Sequence, residues 1–123
     1  MKLLLIDDSR VARLAIRRVL RASGVGVLQT MEAGDGEAGL KILREREVDV
    51  VLCDWQMPGM DGLEFLRQKA ADPSLADIPV VMVTAEGNPA RVREARALGA
   101  TFFLRKPMAA DQLRAALTAL EAG

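Results

Sequence analysis

The sequence predicts a single α/β domain over residues 1–123, in which a doubly wound, five-stranded parallel sheet carries helices on both faces. Short apolar runs alternate with stretches of helical periodicity five times along the 123 residues, and such regular alternation is typical of parallel sheets. The first, third and fourth runs are almost entirely Leu, Ile and Val, as expected for strands buried on both faces. The second and fifth runs are more mixed, which predicts that they form the edges of the sheet.

The predicted strands are the apolar runs themselves. Two aspartates follow the first run, and Asp54 follows the third. In chain order, the strands are expected at Leu3–Ile6, Val27–Ala33, Val48–Cys53, Ile78–Val83 and Thr101–Leu104. These lengths fit strands better than helices, which usually need about ten residues or more.

Each strand is followed by a stretch with helical signals. Ser9 suits the N-cap of the first helix and Gly24 its C-terminal stop. Asn88 and Pro89 supply an N-cap and a first-turn proline for the fourth helix. The five helices are expected from Ser9 to Gly24, after Asp35-Gly36, around Leu63–Ala71, from Asn88 to near Gly99, and over Asp111–Leu120.

The composition excludes several kinds of chemistry. The chain contains no histidine and one cysteine, Cys53, which lies in an apolar run, so histidine triads, zinc clusters and internal disulfides are excluded. Lys plus Arg and Asp plus Glu both number 17, which predicts no attraction to nucleic acid or to an anionic membrane. No apolar run approaches the roughly 20 residues of a membrane span, and the N-terminus does not resemble a signal peptide. These features favour a reducing, cytoplasmic setting.

Polar side chains follow four of the predicted strands at their carboxyl ends. They are Asp7 and Asp8 after the first strand, Asp54 after the third, Thr84 after the fourth and Lys106 after the fifth. Taken singly, each also fits an ordinary role as a helix start, a strand end or a solvated charge. In a doubly wound sheet with strands 1, 3 and 4 in its interior, however, all of them meet at the crevice where such folds bind ligands.

The chemistry of these residues points to phosphoryl transfer. Three carboxylates in one crevice repel one another, so either their pKa values rise or a cation neutralises them. Oxygen ligands without histidine or thiolate favour a hard cation, and Mg²⁺ suits phosphate chemistry. With the metal in place, Asp54 can act as a nucleophile toward phosphorus. Lys106 and Thr84 then supply the charge and the hydroxyl that the phosphoryl oxygens need.

Four short segments carry a resemblance to a known family. They are LLIDDS at the first strand, DWQMPGMDG at the third, VVMVTAE at the fourth and LRKP at the fifth. In their order and spacing the chain resembles a response-regulator receiver domain, most closely the single-domain chemotaxis type, over essentially its whole length. The resemblance implies a flavodoxin-like fold with strand order 2-1-3-4-5. It also implies a phosphorylation switch of a two-component phosphorelay. The only reactions it would catalyse are its own phosphorylation from a phosphodonor and its own dephosphorylation, so it would not otherwise be an enzyme.

The resemblance implies that Asp54 is the phosphorylated residue and that Mg²⁺ binds beside it. Asp8 and Asp54 would ligate the metal directly, Gln56 would contribute its backbone carbonyl, and Asp7 would act through a bound water. Gln56 stands where chemotaxis proteins often have Asn. Its longer side chain borders the path of attacking water, as does Glu86, and both are expected to affect the lifetime of the phosphoryl group.

The resemblance also implies a switch at the fourth and fifth strands. Lys106 would contact the phosphoryl group, and its peptide bond to Pro107 would be cis. Thr84 would move to hydrogen-bond a phosphoryl oxygen, and Phe103 would turn inward in response. Phe103 replaces the frequent tyrosine, so the inward state lacks a hydroxyl hydrogen bond and depends on burial. Met108 stands where Phe is common, which we expect to affect packing only.

The partners implied are a histidine kinase or histidine phosphotransfer protein as the donor, and a target protein on the face of the fourth helix, fifth strand and last helix. Neither nucleic acid nor a membrane is implied, and the protein would be a monomer or a phosphorylation-dependent homodimer.

The first helix is strongly basic, which fits either a solvated face or steering of an acidic partner. Its arginines are Arg10, Arg13, Arg17, Arg18 and Arg21. Trp55 is expected to form a partial lid over the site.

Four alternatives remain open from the sequence. One alternative is a receiver domain cut from a larger regulator or hybrid kinase. An aspartate-nucleophile phosphohydrolase would want an acid two positions after Asp54, where Gln56 stands. An FMN-binding protein of the same fold would need a phosphate-binding loop after the first strand, where the sequence is acidic. A degenerate receiver that switches without phosphate would have lost an acid, hydroxyl or lysine, and all of these are present.

Overall fold

The computed structural model describes residues 1–27, 29–57, 59–85 and 88–122. Within them, five parallel strands form one sheet in the order β2-β1-β3-β4-β5. The strands are β1 (Lys2–Ile6), β2 (Gln29–Ala33), β3 (Val50–Asp54), β4 (Val80–Thr84) and β5 (Ala100–Arg105). The predicted α/β class, the strand order and the placing of the first, third and fourth strands in the interior are confirmed.

One helix follows each strand. The helices are α1 (Arg10–Ser23), α2 (Gly36–Glu45), α3 (Gly62–Ala71), α4 (Pro89–Ala97) and α5 (Ala110–Ala122). The predicted caps of α1 are confirmed, since Ser9 accepts a hydrogen bond from the Ala12 amide and Gly24 adopts the left-handed conformation. Asn88 caps α4, and Pro89 lies in its first turn. No helix in the described ranges is long and apolar enough to cross a membrane.

Two hydrophobic cores cover the two faces of the sheet. Successive strand residues point to opposite faces, so Leu4 and Ile6 of β1 pack in one core, and Leu3 and Leu5 pack in the other. Residues of α2, α3 and α4 complete the first core, and residues of α1 and α5 complete the second. The sheet is thus covered on both sides, which explains why its interior strands are apolar except at their ends.

Two interior strands begin two residues later than predicted. The third strand starts at Val50 and the fourth at Val80. The residues just before each belong to the loop that connects the preceding helix to the sheet. Pro79 has no amide hydrogen to donate to a ladder and only accepts a hydrogen bond from Val51. Both strands instead continue to their polar ends, Asp54 and Thr84.

Candidate functional site

Three aspartates meet at the carboxyl edge of the sheet. Asp54 is the last residue of β3, and Asp7 and Asp8 directly follow β1, the strand beside it. One carboxylate oxygen from each of the three lies within 4.8 Å of the others. Asp7 is almost fully buried, Asp54 is partly buried and Asp8 is exposed. The predicted convergence of these three carboxylates is therefore confirmed.

Lys106 links the two less exposed aspartates. Its Nζ donates a hydrogen bond of 2.9 Å to Oδ2 of Asp7 and lies 3.3 Å from Oδ1 of Asp54. The other oxygen of Asp7 accepts from the Ser9 amide, at the start of α1. The Lys106 amide donates to the Thr84 carbonyl, which fixes the end of β5 against β4. The predicted cis bond between Lys106 and Pro107 is present.

The electrostatics of the site reflect an excess of negative charge. Burial raises the pKa of Asp54, the charge of Asp7 raises it further, and Lys106 only partly offsets the two. Burial by itself lowers the pKa of Lys106, but the hydrogen bond to Asp7 and the charge of Asp54 outweigh it, so that pKa is raised. The lysine is therefore firmly protonated, and it leaves carboxylate charge to be neutralised by another cation.

The donor set fits a hard divalent cation. The three carboxylates contribute only oxygen ligands, and both Asp8 and Asp54 have solvent-accessible surface. A cation among them would also relieve the repulsion that raises the pKa of Asp54. Gln56 follows Asp54 by two residues and has an exposed side chain on the loop after β3. The acidic cluster thus has the charge and the ligand type that a metal such as Mg²⁺ requires.

Thr84 and Gln56 lie in a cavity beside the aspartates rather than among them. Thr84 ends β4, and its side chain is 9% exposed. Together with Trp55, Asn88 and Arg91, the two residues line a cavity of about 340 Å³. The start of α4 therefore forms one wall of this cavity, and the loop after β3 forms another.

Phe103 lies outside the acidic cluster, on the β5 side of the sheet. Its ring centroid is 6.2 Å from that of Trp55, with the ring planes tilted by 41°. On α4, the guanidinium carbon of Arg96 lies 5.1 Å from the centroid of the Phe103 ring, which is a cation–π distance. Phe103 is thus half-buried between an aromatic core residue and an exposed arginine.

The prediction that Trp55 forms a partial lid is wrong. Its side chain is only 4% exposed and belongs to the core that α2, α3 and α4 complete. Its amide donates to the Val83 carbonyl, which continues the pairing of β3 with β4 by one residue and directs the ring inward. Trp55 therefore forms an inner wall of the cavity that contains Thr84.

The other predictions concern Met108, the arginines of α1 and Glu86. Met108 is half-buried and packs against the core of α1 and α5, as expected for a packing role. On α1, Arg13 and Arg17 pair with Glu32 of β2 at 2.8 and 2.9 Å, whereas the other three arginines of the helix are exposed. The expectation for Glu86 falls outside the described residues.

Two residues that matter to this site were not singled out in the sequence. A Cβ atom on Gly62 would lie 3.0 Å from the carbonyl oxygen of Asp54 and 3.1 Å from the Cα of Trp55. Only glycine allows the first turn of α3 to approach the end of β3 this closely. Its place in the turn sequence MPGMDG was the available signal. Arg91 is the second, and its place in α4 gave no indication that it lines the cavity.

Comparisons with known proteins agree with this geometry. The family model for the response regulator receiver domain matches residues 3–118. The chain is 39% identical over 114 residues to the chemotaxis protein CheY of Pseudomonas aeruginosa, which covers 93% of this chain and 90% of that protein. It is 37% identical over 114 residues to the chemotaxis protein CheY-3 of Vibrio cholerae, covering 93% of this chain and 86% of the relative.

Solved structures give the same result. The crystal structure of the chemotaxis protein CheY4 of Vibrio cholerae superimposes with a TM-score of 0.85 at 30% identity and covers 97% of both chains. A putative response regulator from Chloroflexus aurantiacus superimposes with a TM-score of 0.88 at 26% identity, covering 99% of this chain and 98% of that one. With the family match over residues 3–118, these similarities establish that the chain belongs to the response regulator receiver domain family.

Proposed function

We propose that this receiver domain is switched by phosphorylation of Asp54. The observation that carries the proposal is the position of the Asp54 carboxylate, which ends an interior strand within 4.8 Å of two further carboxylates and 3.3 Å from the Nζ of Lys106. A carboxylate in this setting is a nucleophile with a fixed cation at its side. A purely structural strand end would have no need of that arrangement.

In the proposed reaction, an oxygen of Asp54 forms a bond to phosphorus as the bond between phosphorus and the donor's leaving group breaks, and the leaving group keeps the electron pair. Lys106 holds the negative charge of the phosphoryl oxygens, since its ammonium already lies beside the attacking carboxylate. Thr84, at the end of the next strand, donates its hydroxyl hydrogen to a phosphoryl oxygen. Hydrolysis later returns Asp54 to its free carboxylate.

Mg²⁺ is the proposed cofactor. Asp8, Asp54 and the backbone carbonyl of Gln56 would hold it, with Asp7 acting through a water molecule. When bound, the ion neutralises carboxylate and phosphoryl charge that Lys106 alone leaves unbalanced. The direction of the Asp54 pKa supports this assignment, because the carboxylate is under-neutralised by its protein neighbours.

The proposed switch connects Thr84 with Phe103. A move of Thr84 toward the phosphoryl group leaves space on its far side, into which the Phe103 ring turns. The contacts that Phe103 makes with Trp55 and Arg96 would then change. Without a hydroxyl, Phe103 gains mainly apolar burial in the inward state, so the shift between states depends on that difference.

The proposed donor is a histidine kinase or a histidine phosphotransfer protein, since this chain has no histidine to carry the phosphoryl group. The proposed output surface consists of α4, β5 and α5, where a protein target would sense the state of Phe103. We propose residues 1–123 as one receiver unit, acting as a monomer or as a phosphorylation-dependent homodimer. The names of the relatives, chemotaxis proteins, support a role in chemotaxis.

Intact-mass spectrometry tests the central proposal. The protein is incubated with acetyl phosphate or phosphoramidate, with and without Mg²⁺, beside Asp54→Asn. Asp111→Asn is the matched control, because Asp111 is an exposed aspartate in the first turn of α5, outside the acidic cluster. We expect one Mg²⁺-dependent phosphoryl adduct in the wild type and in Asp111→Asn, and none in Asp54→Asn. If neither donor modifies the wild type, the proposal is wrong.

A further inference from the structure

The cavity beside the acidic cluster has a composition that the family assignment does not explain. Among the residues that the structure describes, five line its volume of about 340 Å³, and these five include no carboxylate and no apolar aliphatic residue. They are Trp55, Gln56, Thr84, Asn88 and Arg91. Because Trp55 and Gln56 directly follow Asp54, this cavity offers a separate environment beside Asp54 for a second part of a substrate.

Three of the described lining residues, Trp55, Asn88 and Arg91, offer mainly hydrogen-bond donors to the cavity. The Nε1 of Trp55 is buried and has no hydrogen-bond partner among the described residues, although an indole N–H can only donate. The Oδ1 of Asn88 already accepts from the amides of Ala90 and Arg91, so among the described residues the side-chain NH₂ is the group that Asn88 can direct toward a ligand. Arg91 carries donors and a full positive charge. A ligand that satisfies this wall brings acceptor oxygens and negative charge.

The cavity begins one residue from the proposed phosphoacceptor. Trp55 and Gln56 directly follow Asp54, and Thr84, which would hold a phosphoryl oxygen, belongs to the same lining. In an in-line displacement, the leaving group lies on the side of phosphorus opposite the attacking oxygen. A donor whose phosphoryl group contacts both Asp54 and Thr84 can place its leaving group against Gln56, Asn88 and Arg91.

We propose that this cavity receives the leaving group of a small-molecule phosphodonor, and that Arg91 favours donors whose leaving group departs as an anion, such as acyl phosphates. The inference rests on the proposed phosphorylation of Asp54. With an acyl phosphate, the bond between phosphorus and the bridging oxygen breaks, and that oxygen leaves with the electron pair as part of a carboxylate. No proton is needed, so the negative charge that develops on the leaving group is stabilised by the guanidinium.

Donors with a nitrogen leaving group give Arg91 no such role. Phosphoramidate breaks a bond between phosphorus and nitrogen, and its nitrogen, already protonated, departs as neutral ammonia. A phosphohistidine likewise releases a neutral imidazole once its ring is protonated. Arg91 is therefore expected to discriminate by the charge of the departing group, and to act on small acyl phosphates rather than on transfer from a protein histidine.

The test compares rate constants for phosphorylation of Asp54 by acetyl phosphate and by phosphoramidate, at low ionic strength and saturating Mg²⁺. The variants are Arg91→Gln, Arg91→Lys and Arg93→Gln. Arg93 is the matched control because it is an exposed arginine of the same helix that does not line the cavity. We expect Arg91→Gln to lower the acetyl phosphate rate about fivefold, as for one partly exposed charge contact. The phosphoramidate rate should not fall.

Two further observations sharpen the result. Arg91→Lys should recover part of the acetyl phosphate rate, and salt should reduce the difference between wild type and Arg91→Gln, because exposed charges are screened. Arg93→Gln should leave the ratio of the two rates unchanged.

Equal rates in wild type and Arg91→Gln with both donors would overturn the inference. An equal fall with both donors would also overturn it, since a structural effect or a general loss of phosphoryl contact does not depend on the leaving group. In either case the proposed function stands as long as phosphoramidate still modifies Asp54. If the wild type accepts neither donor, the proposed function and this inference are both wrong.

Discussion

The Nζ of Lys106 lies 3.3 Å from Oδ1 of Asp54, while it donates a hydrogen bond to the more deeply buried carboxylate of Asp7. One ammonium group thus serves two aspartates from different strands. The side chain of Asp7 is 2% exposed, whereas that of Lys106 is 30% exposed. The buried Asp7 carboxylate therefore relies on Lys106 to neutralise its charge, whereas the Lys106 ammonium keeps access to water.

We expect Lys106→Met to lower the free energy of unfolding by about 1–3 kcal/mol, because it leaves a buried carboxylate without its cation. Urea unfolding at neutral pH measures the change. Lys41→Met is the control, since Lys41 is an exposed lysine of α2, and should have little effect. If both variants lose the same stability, the contact with Asp7 contributes nothing. Adding Asp7→Asn to Lys106→Met should restore part of the loss, as a double-mutant cycle would show.

Asp54 is expected to reduce the stability of the metal-free protein. Burial and the charge of Asp7 disfavour its ionised form, so Asp54→Asn should raise the free energy of unfolding by about 1 kcal/mol at neutral pH and low salt. About 10 mM Mg²⁺ should stabilise the wild type more than the variant, because the proposed Mg²⁺ site of the folded protein includes the Asp54 carboxylate. Thermal unfolding of both proteins, with and without Mg²⁺, measures these effects. A variant that Mg²⁺ stabilises as much as the wild type would show that Asp54 is not a ligand.

Tryptophan fluorescence reports directly on the position of Trp55, because it is the only tryptophan of the chain. A lid would be open to solvent, whereas the side chain here is 4% exposed. We expect its fluorescence to be quenched weakly by acrylamide. The control is Trp55→Phe combined with Leu14→Trp, which places the tryptophan at a position of α1 where the native side chain is 50% exposed. Equal quenching of the two proteins would contradict the buried position.

Lys69 predicts a specific dependence of stability on pH. The side chain is 2% exposed, and its ammonium donates to the Ala76 carbonyl at 3.0 Å. Burial lowers the pKa of Lys69, and the charge of Asp77 offsets this only in part. Between the lowered native pKa and the unfolded value of about 10.4, the unfolded chain binds more protons, so stability from this group rises with pH.

Comparing the wild type with Lys69→Met isolates the contribution of Lys69 to the pH dependence of stability. The buried thiol of Cys53 has a raised pKa and contributes in the opposite direction over the same alkaline range, but it is common to both proteins. The stability of the wild type relative to Lys69→Met should therefore increase as pH rises from about 8 toward 10. Urea unfolding over that range measures it. A constant difference would mean that Lys69 keeps an ordinary pKa in the folded protein.

The sequence predicted the parts of this structure that depend on periodicity and strand direction. Leu, Ile and Val runs identified the buried strands, and parallel strands necessarily bring their carboxyl ends to one edge. For this reason Asp7, Asp8 and Asp54 were expected together, and they are. The start of β4 was placed too early because the apolar Ile78 suggested strand, while a turn that begins at Asp72 extends up to that residue.

Features that depend on side-chain packing were not predictable in the same way. Nothing in the sequence shows whether an aromatic residue after a strand turns outward or inward, so the burial of Trp55 was missed. Arg91 lines the cavity because of how α4 packs against α3 and β5, and that placement follows from tertiary packing rather than from helix periodicity. Residue identity located the candidate site residues, while the cavity walls around them could be found only from the structure.

Gly62 is a position where residue identity and tertiary packing both matter, because its backbone lies against the end of β3. A Cβ atom here would lie 3.0 Å from the Asp54 carbonyl oxygen and 2.7 Å from the Cε of Met82. The methyl of Met82 can move, but the carbonyl cannot, since the Gly62 amide donates to the adjacent Trp55 carbonyl at 2.9 Å. We expect Gly62→Ala to lower the free energy of unfolding by about 1–3 kcal/mol.

The control for this prediction is Gly26→Ala, where an added Cβ atom meets nothing within 4 Å and where we expect a change of less than about 1 kcal/mol. Phosphorylation of Asp54 by phosphoramidate, measured beside urea unfolding, separates two effects of Gly62→Ala. If the helix start moves away from β3 as a unit, stability falls and the rate stays near that of the wild type. If the strand end shifts instead, the Asp54 carboxylate moves relative to Lys106 and the rate falls as well. A Gly62→Ala protein as stable as Gly26→Ala would show that α3 does not need this close approach.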